Sequence, residues 1–239
     1  MKIALIGYGK MGSEIEKIAL AAGHEITAIY SPEAPFTADL APQAQVFIDF
    51  SVPDNVFSTV QHAAQLGLPV VIGTTGWYDQ LSDITALVQQ AGIGCLYGGN
   101  FSPGIQILHK LTRLLSADIS ALGGYDIGII EKHHRHKVDS PGGTALQLAN
   151  SIIASSSFKQ DLITGDIHGP VPTPSVHVSG FRCGHIIGEH QIIADSEIDT
   201  ITLTHTAKSR SGFARGAVLA AEWIVSKKGM FDFSQIFEG

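Results

Sequence analysis

Lys2-Ile3-Ala4-Leu5-Ile6-Gly7-Tyr8-Gly9-Lys10-Met11-Gly12 opens the chain, and the fold follows from how this stretch is read. The apolar run Ile3-Ala4-Leu5-Ile6 has the length of a buried strand and leads straight into a G-x-G-x-x-G turn. Beyond the turn, Met11, Ile15, Ile18, Ala19 and Ala22 recur at helical spacing. Strand, glycine turn and helix in that order give the motif its meaning. Gly7 permits the tight turn, Gly9 lets backbone approach a pyrophosphate, and Gly12 lets the helix pack closely on the strand. The helix start adds free N–H groups and the positive end of its dipole, which suit phosphate. The reading is dinucleotide binding by Gly7, Tyr8, Gly9, Lys10, Met11 and Gly12, and the alternative is a purely structural glycine turn.

Moving outward, strand signals at residues 25–30, 46–51, 69–72 and 93–97 alternate with helical signals at 54–66 and 78–91. Pro53 suits the first turn of the former helix. Apolar strands alternating with amphipathic helices predict a parallel sheet covered on both faces, which with the glycine turn is a Rossmann domain. Loops at strand ends are where such sheets bind ligands. Gly73, Thr74 and Thr75 occupy one such loop, and Gly98, Gly99, Asn100 and Phe101 another; both are assigned to the nicotinamide and its ribose. The end of the second strand reads Ile29-Tyr30-Ser31-Pro32, without the acid that usually bonds the ribose of NAD, and Glu33 comes late, after a proline. This favours NADPH slightly over NADH, with Ser31 and Lys10 as phosphate contacts.

The pattern then changes. Residues 105–115 form a strong helical pattern, 125–131 a strand and 143–153 a helix. Residues 175–208 read as long strands joined by tight turns, a meander or a set of hairpins, with antiparallel pairing expected. Residues 213–225 form a last amphipathic helix whose apolar face is expected to return to the first sheet. The fold class is therefore α/β: an N-terminal Rossmann domain (residues 1–103 and 212–239) with an α+β domain on a mostly antiparallel or mixed sheet (residues 104–211).

Composition narrows the function. The chain has 239 residues, 44% hydrophobic and 15% charged, with a formal net charge of -7. Enough apolar surface is present for a core, and the acidic balance argues against nucleic acid as a partner. No stretch is apolar enough to span a membrane, so none is expected as a partner, and the cytoplasm is the expected location. Cys95 and Cys183 lie in apolar, strand-like runs and are expected to be reduced core thiols.

The most unusual segment is Glu131-Lys132-His133-His134-Arg135-His136-Lys137-Val138-Asp139, followed by Ser140-Pro141-Gly142-Gly143-Thr144-Ala145 at a helix start. Backbone N–H groups of Gly143 and Thr144 at that start would seat a carboxylate. Neighbouring Lys and His side chains add charge-assisted donors, and an imidazole titrates near neutrality and can supply a proton. The segment reads as an anion-binding catalytic loop. A solvated basic loop is the plain alternative. A zinc site is disfavoured, because adjacent His residues on an extended segment point to opposite sides and no partner stands at helical ligand spacing; no metal is expected.

This segment resembles the hallmark Glu-x-His-His-x-x-Lys-x-Asp-x-Pro-Ser-Gly-Thr-Ala of the 4-hydroxy-tetrahydrodipicolinate reductase (dihydrodipicolinate reductase) family. The opening turn with Met11-Gly12, Asp49-Phe50-Ser51, Gly73-Thr74-Thr75-Gly76, Asn100-Phe101-Ser102 and Arg182-Cys183-Gly184-His185-Ile186-Ile187-Gly188-Glu189-His190 resemble it too. So do the run from Thr204-His205 to Arg210, Phe213-Ala214 and Gly216-Ala217, which carries the likeness almost end to end. The resemblance implies NADH- or NADPH-dependent reduction of 4-hydroxy-tetrahydrodipicolinate to tetrahydrodipicolinate in the diaminopimelate route to lysine. It implies His133 as acid/base, Lys137 as second proton donor, and His134, Lys137, Gly143 and Thr144 as holders of a small dicarboxylate substrate. It also implies a homotetramer built through the sheet of the substrate domain. An aspartate- or homoserine-type dehydrogenase is the competing reading, and such enzymes lack the His-His loop. Two departures stand out. The family's serine is Gly142 here, which removes a hydroxyl and is expected to loosen the loop, and residues 32–45 are short where cofactor choice is decided.

Overall fold

The computed structural model describes residues 1–31 and 43–238. Most of the short segment tied to cofactor choice, with Glu33, lies outside the described residues. The chain divides into two compact units, residues 1–103 with 210–239, and residues 104–209.

The first unit carries a six-stranded sheet. Its strands are β1 (Lys2–Ile6), β2 (Glu25–Tyr30), β3 (Val46–Asp49), β4 (Val70–Ile72), β5 (Gly94–Tyr97) and β11 (Gly229–Asp232). They stand in the order β2-β1-β3-β4-β5-β11, and every pairing is parallel. Strict alternation along each strand feeds two cores. Ile3, Leu5, Val46, Ile48, Val71 and Leu96 face helices α1 (Lys10–Ala21) and α6 (Ser211–Ile224). Ala4, Ile6, Phe47, Val70, Ile72 and Cys95 face α2 (Pro53–Leu66) and α3 (Leu81–Ala91). Burial on both faces is why these strands read as unbroken apolar runs. The last helix packs against α1 on this sheet, as its apolar face required. The added edge strand β11 was not anticipated, since Gly229-Met230-Phe231-Asp232 has neither the length nor the β-branched content of a strand signal.

The second unit carries a five-stranded sheet in the order β10-β9-β6-β8-β7. Its strands are β6 (Asp126–His133), β7 (Asp161–Thr164), β8 (Ser175–Arg182), β9 (Glu189–Asp195) and β10 (Thr200–Thr206). The expected hairpin is formed by β9 and β10, and the sheet is mixed as allowed; the antiparallel placement expected of β8 is corrected. β8 pairs in parallel with β6 and β7, and β6 lies between β8 and β9, antiparallel to β9, so the sheet is mixed. Helices α4 (Pro103–Leu122) and α5 (Gly143–Ser155) cover one face through Ile105, Leu108, Leu148 and Ile152 on Ile127, Ile129, Val176, Val178 and Ile192. Lys159, unexposed at its side chain, donates to the carbonyls of Thr173 and Ser175 at 2.7 Å each and pairs with Asp126 at 2.5 Å. It pins the start of β8 to the start of β6.

Both cysteines are free thiols, as expected, but only Cys95 lies in the core. Cys95 is buried on β5, where burial pushes its thiol far up and makes it inert, whereas Cys183 is exposed just past β8. Among the described residues no helix is long and apolar enough to cross a membrane.

Candidate active site

A candidate nucleotide site forms at the carboxyl edge of the first sheet. The order reverses around β1, which has β2 on one side and β3 on the other, and such a switch point is where open parallel sheets bind ligands. The glycine turn fits a pyrophosphate. Gly7 has φ +88°, and a Cβ there would stand 2.4 Å from the Phe50 carbonyl oxygen. A Cβ on Gly12 would stand 2.3 Å from the Gly7 carbonyl oxygen, while one on Gly9 would meet nothing within 4 Å. Helix α1 has neither a side-chain cap nor an acid in its first turn, so its own sequence sets no competing anion on its first N–H groups. Tyr8 is 40% exposed and donates its hydroxyl to Glu16; Lys10 is exposed, and Met11 and Ser31 are half-buried.

The two loops behave differently from the turn. Buried Asp49 at the end of β3 accepts at Oδ1 from Ser51 N (2.9 Å), Ser51 Oγ (2.7 Å) and Thr74 Oγ1 (2.8 Å). Thr74 thus spends its hydroxyl on cross-linking strand ends, and only its backbone and exposed Thr75 remain for a ligand. Phe101 could line a nucleotide through its backbone only. It is 2% exposed, with its ring 4.6 Å from Phe233 and 5.5 Å from Phe50, so it packs in the core. Gly98 is buried against Phe233, Gly99 is exposed, and Asn100 accepts from Ser102 N at 2.9 Å.

The second unit carries a candidate site of its own. Alternation along β6 places Ile127, Ile129, Glu131 and His133 on the helix-covered face. The strand runs two residues further than expected, so His133 is not on an exposed loop; it is 9% exposed. Glu131 is 0% exposed and organises what surrounds it. Its Oε1 accepts from Gly142 N at 3.0 Å and from Arg182 Nη2 at 2.5 Å. Its Oε2 lies 3.3 Å from His133 Nδ1 and 3.9 Å from His190 Nε2. Register explains the company, since Glu131 stands opposite Gly180 on β8 and His190 on β9, and His133 opposite Arg182. Burial alone would raise the Glu131 carboxyl, but His133, Arg182 and the Gly142 N–H outweigh it and bring it down to about 2. Burial, reinforced by the neighbouring His133, brings His190 down to about 4, so this imidazole is neutral near pH 7.

The loop beyond β6 is fastened at several points. Arg182 Nη2 also donates to the Asp139 carbonyl at 2.6 Å, and Arg135 N donates to the Gly184 carbonyl at 3.3 Å. Lys137 Nζ pairs with Asp139 Oδ1 at 2.5 Å, which holds the Asp139 carboxyl below its usual range. The expectation that Gly142 loosens this loop does not hold. Gly142 is buried and tied to Glu131, and a Cβ there would stand 2.9 Å from Lys137 Cε and 3.0 Å from Lys137 Nζ. Its missing side chain makes room for the lysine. Helix α5 begins at Gly143 with no side-chain cap and no acid in its first turn; Gly143 is exposed and Thr144 half-buried. His134 is half-buried, its ring 6.4 Å from that of His136.

His133, Lys137 and the start of α5 thus gather around Glu131. The assignment had omitted Glu131, Arg182 and His190. Glu131 carried a signal: an acid in phase with Ile127 and Ile129 on a buried face must find a partner.

A parallel nucleotide-type sheet with a reversal at a glycine turn, joined to a mixed-sheet unit with a buried Glu/His/Arg cluster, defines a two-unit dehydrogenase-type α/β protein. Family descriptions for the N-terminus and C-terminus of dihydrodipicolinate reductase match residues 1–101 and 104–237. A 4-hydroxy-tetrahydrodipicolinate reductase of Christiangramia forsetii is 35% identical over 99% of this chain and 97% of its own length. One of Methanopyrus kandleri is 38% identical over 86% and 76% respectively. A solved structure, dipicolinate-bound dihydrodipicolinate reductase from Paenisporosarcina sp. TG-14, shares the fold at TM-score 0.82 and 24% identity over 99% of both chains. The chain belongs to the dihydrodipicolinate reductase family.

Proposed function

We propose that this chain reduces 4-hydroxy-tetrahydrodipicolinate to tetrahydrodipicolinate with NADPH or NADH, His133 serving as acid/base and Lys137 as second proton donor. The observation that carries the roles is the Glu131-centred cluster, which holds an imidazole and places an ammonium beside the uncapped start of α5.

The backbone of Gly7, Gly9, Lys10, Met11 and Gly12, with Thr75 and Gly99, would hold the nucleotide, whose reduced nicotinamide supplies hydride when bound. The N–H groups of Gly143 and Thr144, with His134 and Lys137, hold the two carboxylates of the substrate. The 4-hydroxyl must leave as water to give the conjugated imine; once that imine took up hydride, the ring would be enamine-like and would need one proton at carbon. His133 delivers that proton, and Lys137 steadies the negative charge or relays a replacement. Glu131 is a positioning residue: facing Nδ1, it fixes the ring orientation and leaves Nε2 to exchange protons. Gly188 leaves space on that side, since a Cβ there would stand 3.1 Å from His133 Nε2.

Without an acid at the end of β2, NADPH is the slightly favoured cofactor. A coupled assay that generates the substrate from aspartate semialdehyde, run with each nucleotide in turn, tests the activity and this preference. No oxidation of either nucleotide would refute the reading. Lys137→Ala is expected to lower kcat/KM by about 10- to 100-fold, the worth of a charge-assisted hydrogen bond, with both kcat and KM affected. Unchanged steady-state parameters would remove Lys137 from the site.

The assembly follows the same logic. One face of the second sheet carries α4 and α5, while the other presents Gly128, Ile130, His177, Ser179, Phe181 and Ile193. Phe181 is 53% exposed there. We assign this face to self-association into a homotetramer. Sedimentation should show tetramers for the native chain and smaller species for Ile193→Asp; a native chain that sediments as a monomer at micromolar concentration contradicts the assignment.

A further inference from the structure

We infer that Glu131, His133 and His190 form a binding site for a zinc-class divalent cation, and that its occupancy inhibits the reductase. One donor atom from each residue lies within 4.8 Å of the others. Two imidazoles and a carboxylate are an established donor set for zinc, and nitrogen donors disfavour magnesium and calcium. Zinc with bonds of about 2.0–2.2 Å places tetrahedral donors roughly 3.3–3.5 Å apart. Glu131 Oε2 and His133 Nδ1 are already 3.3 Å apart, and Glu131 Oε2 and His190 Nε2 are 3.9 Å apart. Rotation of the imidazoles closes the remainder.

The second observation is the state of these atoms. Glu131 Oε2, His133 Nδ1 and both ring nitrogens of His190 are buried, and among the described residues none meets full hydrogen-bond geometry; Glu131 Oε2 and His133 Nδ1 approach to 3.3 Å, as a loose ion pair. Buried polar atoms are normally paired, and a coordinated cation would satisfy one on each residue at once. The two His are not sequence neighbours: β6 supplies one and β9 the other, with their rings 5.3 Å apart. That is how a ligand set arises where helical spacing gave none.

Charge permits it. Arg182 occupies Oε1 and leaves Oε2, and Lys137 is neutralised by Asp139. His205 and His109 are the further titratable groups near His190. The site is close to neutral before the cation arrives, as is a zinc site of three imidazoles. A cation on His133 Nδ1 prevents the ring from ever becoming imidazolium, so it can no longer deliver its proton. This consequence rests on the role proposed for His133, whereas binding does not.

Zinc chloride titrated into the full-length chain against a chromophoric zinc chelator, in a non-coordinating buffer, tests the site. One zinc per chain is expected. His190→Gln and His133→Gln, each shown folded by circular dichroism, should weaken binding at least about tenfold, the least that disturbing a metal site's support costs. Cobalt(II) should give the visible bands of a tetrahedral site in the native chain and lose them in both variants. No saturable binding, or binding unchanged in both variants, overturns the site. The rate should fall with the same midpoint as binding, and an undiminished rate at full occupancy overturns inhibition. If no turnover is seen even without zinc, the functional reading fails while the titration still decides the site.

Discussion

His133→Gln is expected to lower kcat by about 10²- to 10⁴-fold, the range that general acid–base catalysis supplies. Glutamine keeps most of the size and hydrogen-bonding capacity of the imidazole but cannot carry a proton, so the loss falls on the chemical step. That span corresponds to roughly 3–5.5 kcal/mol of barrier. Nucleotide affinity should be unchanged, because the glycine turn is in the other unit. Steady-state rates at saturating substrate, with a fluorescence titration of the reduced nucleotide, separate the two quantities. Turnover within a few-fold of the native chain would remove His133 from catalysis. A denaturation curve belongs beside the assay, because His133 is buried at the end of β6 and its replacement will also cost some stability.

The first unit was readable because local signals and tertiary demand coincide there. Ile3-Ala4-Leu5-Ile6 is apolar throughout because helices cover both faces, and Gly7 and Gly12 are glycine because the Phe50 and Gly7 carbonyls stand where a Cβ would go. Phe101 misled for the same reason in reverse: a loop position at a strand end says nothing about which way a side chain turns, and this one turns into the core. In the second unit the strands were visible but their order was not. Alternation in Ile127-Gly128-Ile129-Ile130-Glu131 marks a half-buried strand without naming its neighbours, and β6 came to lie between β8 and β9. His190 and Arg182 therefore could not be attached to Glu131, since their meeting depends on register across two strands. Helical spacing sees only ligands close in sequence, so it could not bring Glu131, His133 and His190 together.

Glu131→Ala should be the most destabilising single substitution at the site, by about 3–5 kcal/mol, the cost of breaking a buried ion pair by removing one partner. The Arg182 guanidinium and the Gly142 N–H would lose their shared acceptor, and the end of the loop bearing Lys137 would lose its tether. Domains of this kind have only about 5–15 kcal/mol in total, so the alanine variant stands near the edge of folding. Glu131→Gln keeps an acceptor oxygen for Arg182 and Gly142 but turns an amide N–H toward His133 Nδ1, reversing the donor sense that sets the tautomer. It should fold with a smaller loss while kcat still falls. Acid titration gives an independent check of sign. The Glu131 carboxyl lies at about 2 in the folded chain against an ordinary 4.5, so its contribution is complete above about pH 4.5 and is lost as pH falls toward 2. The His190 ring, at about 4 against 6.5, adds a loss that begins higher, between about pH 6.5 and 4. Urea midpoints measured from pH 7 to 2.5 should therefore fall in two overlapping steps, and Glu131→Gln should lack the lower one. A Glu131→Ala chain within about 1 kcal/mol of the native, or a Glu131→Gln profile with both steps intact, would show that the carboxylate does not hold the site together.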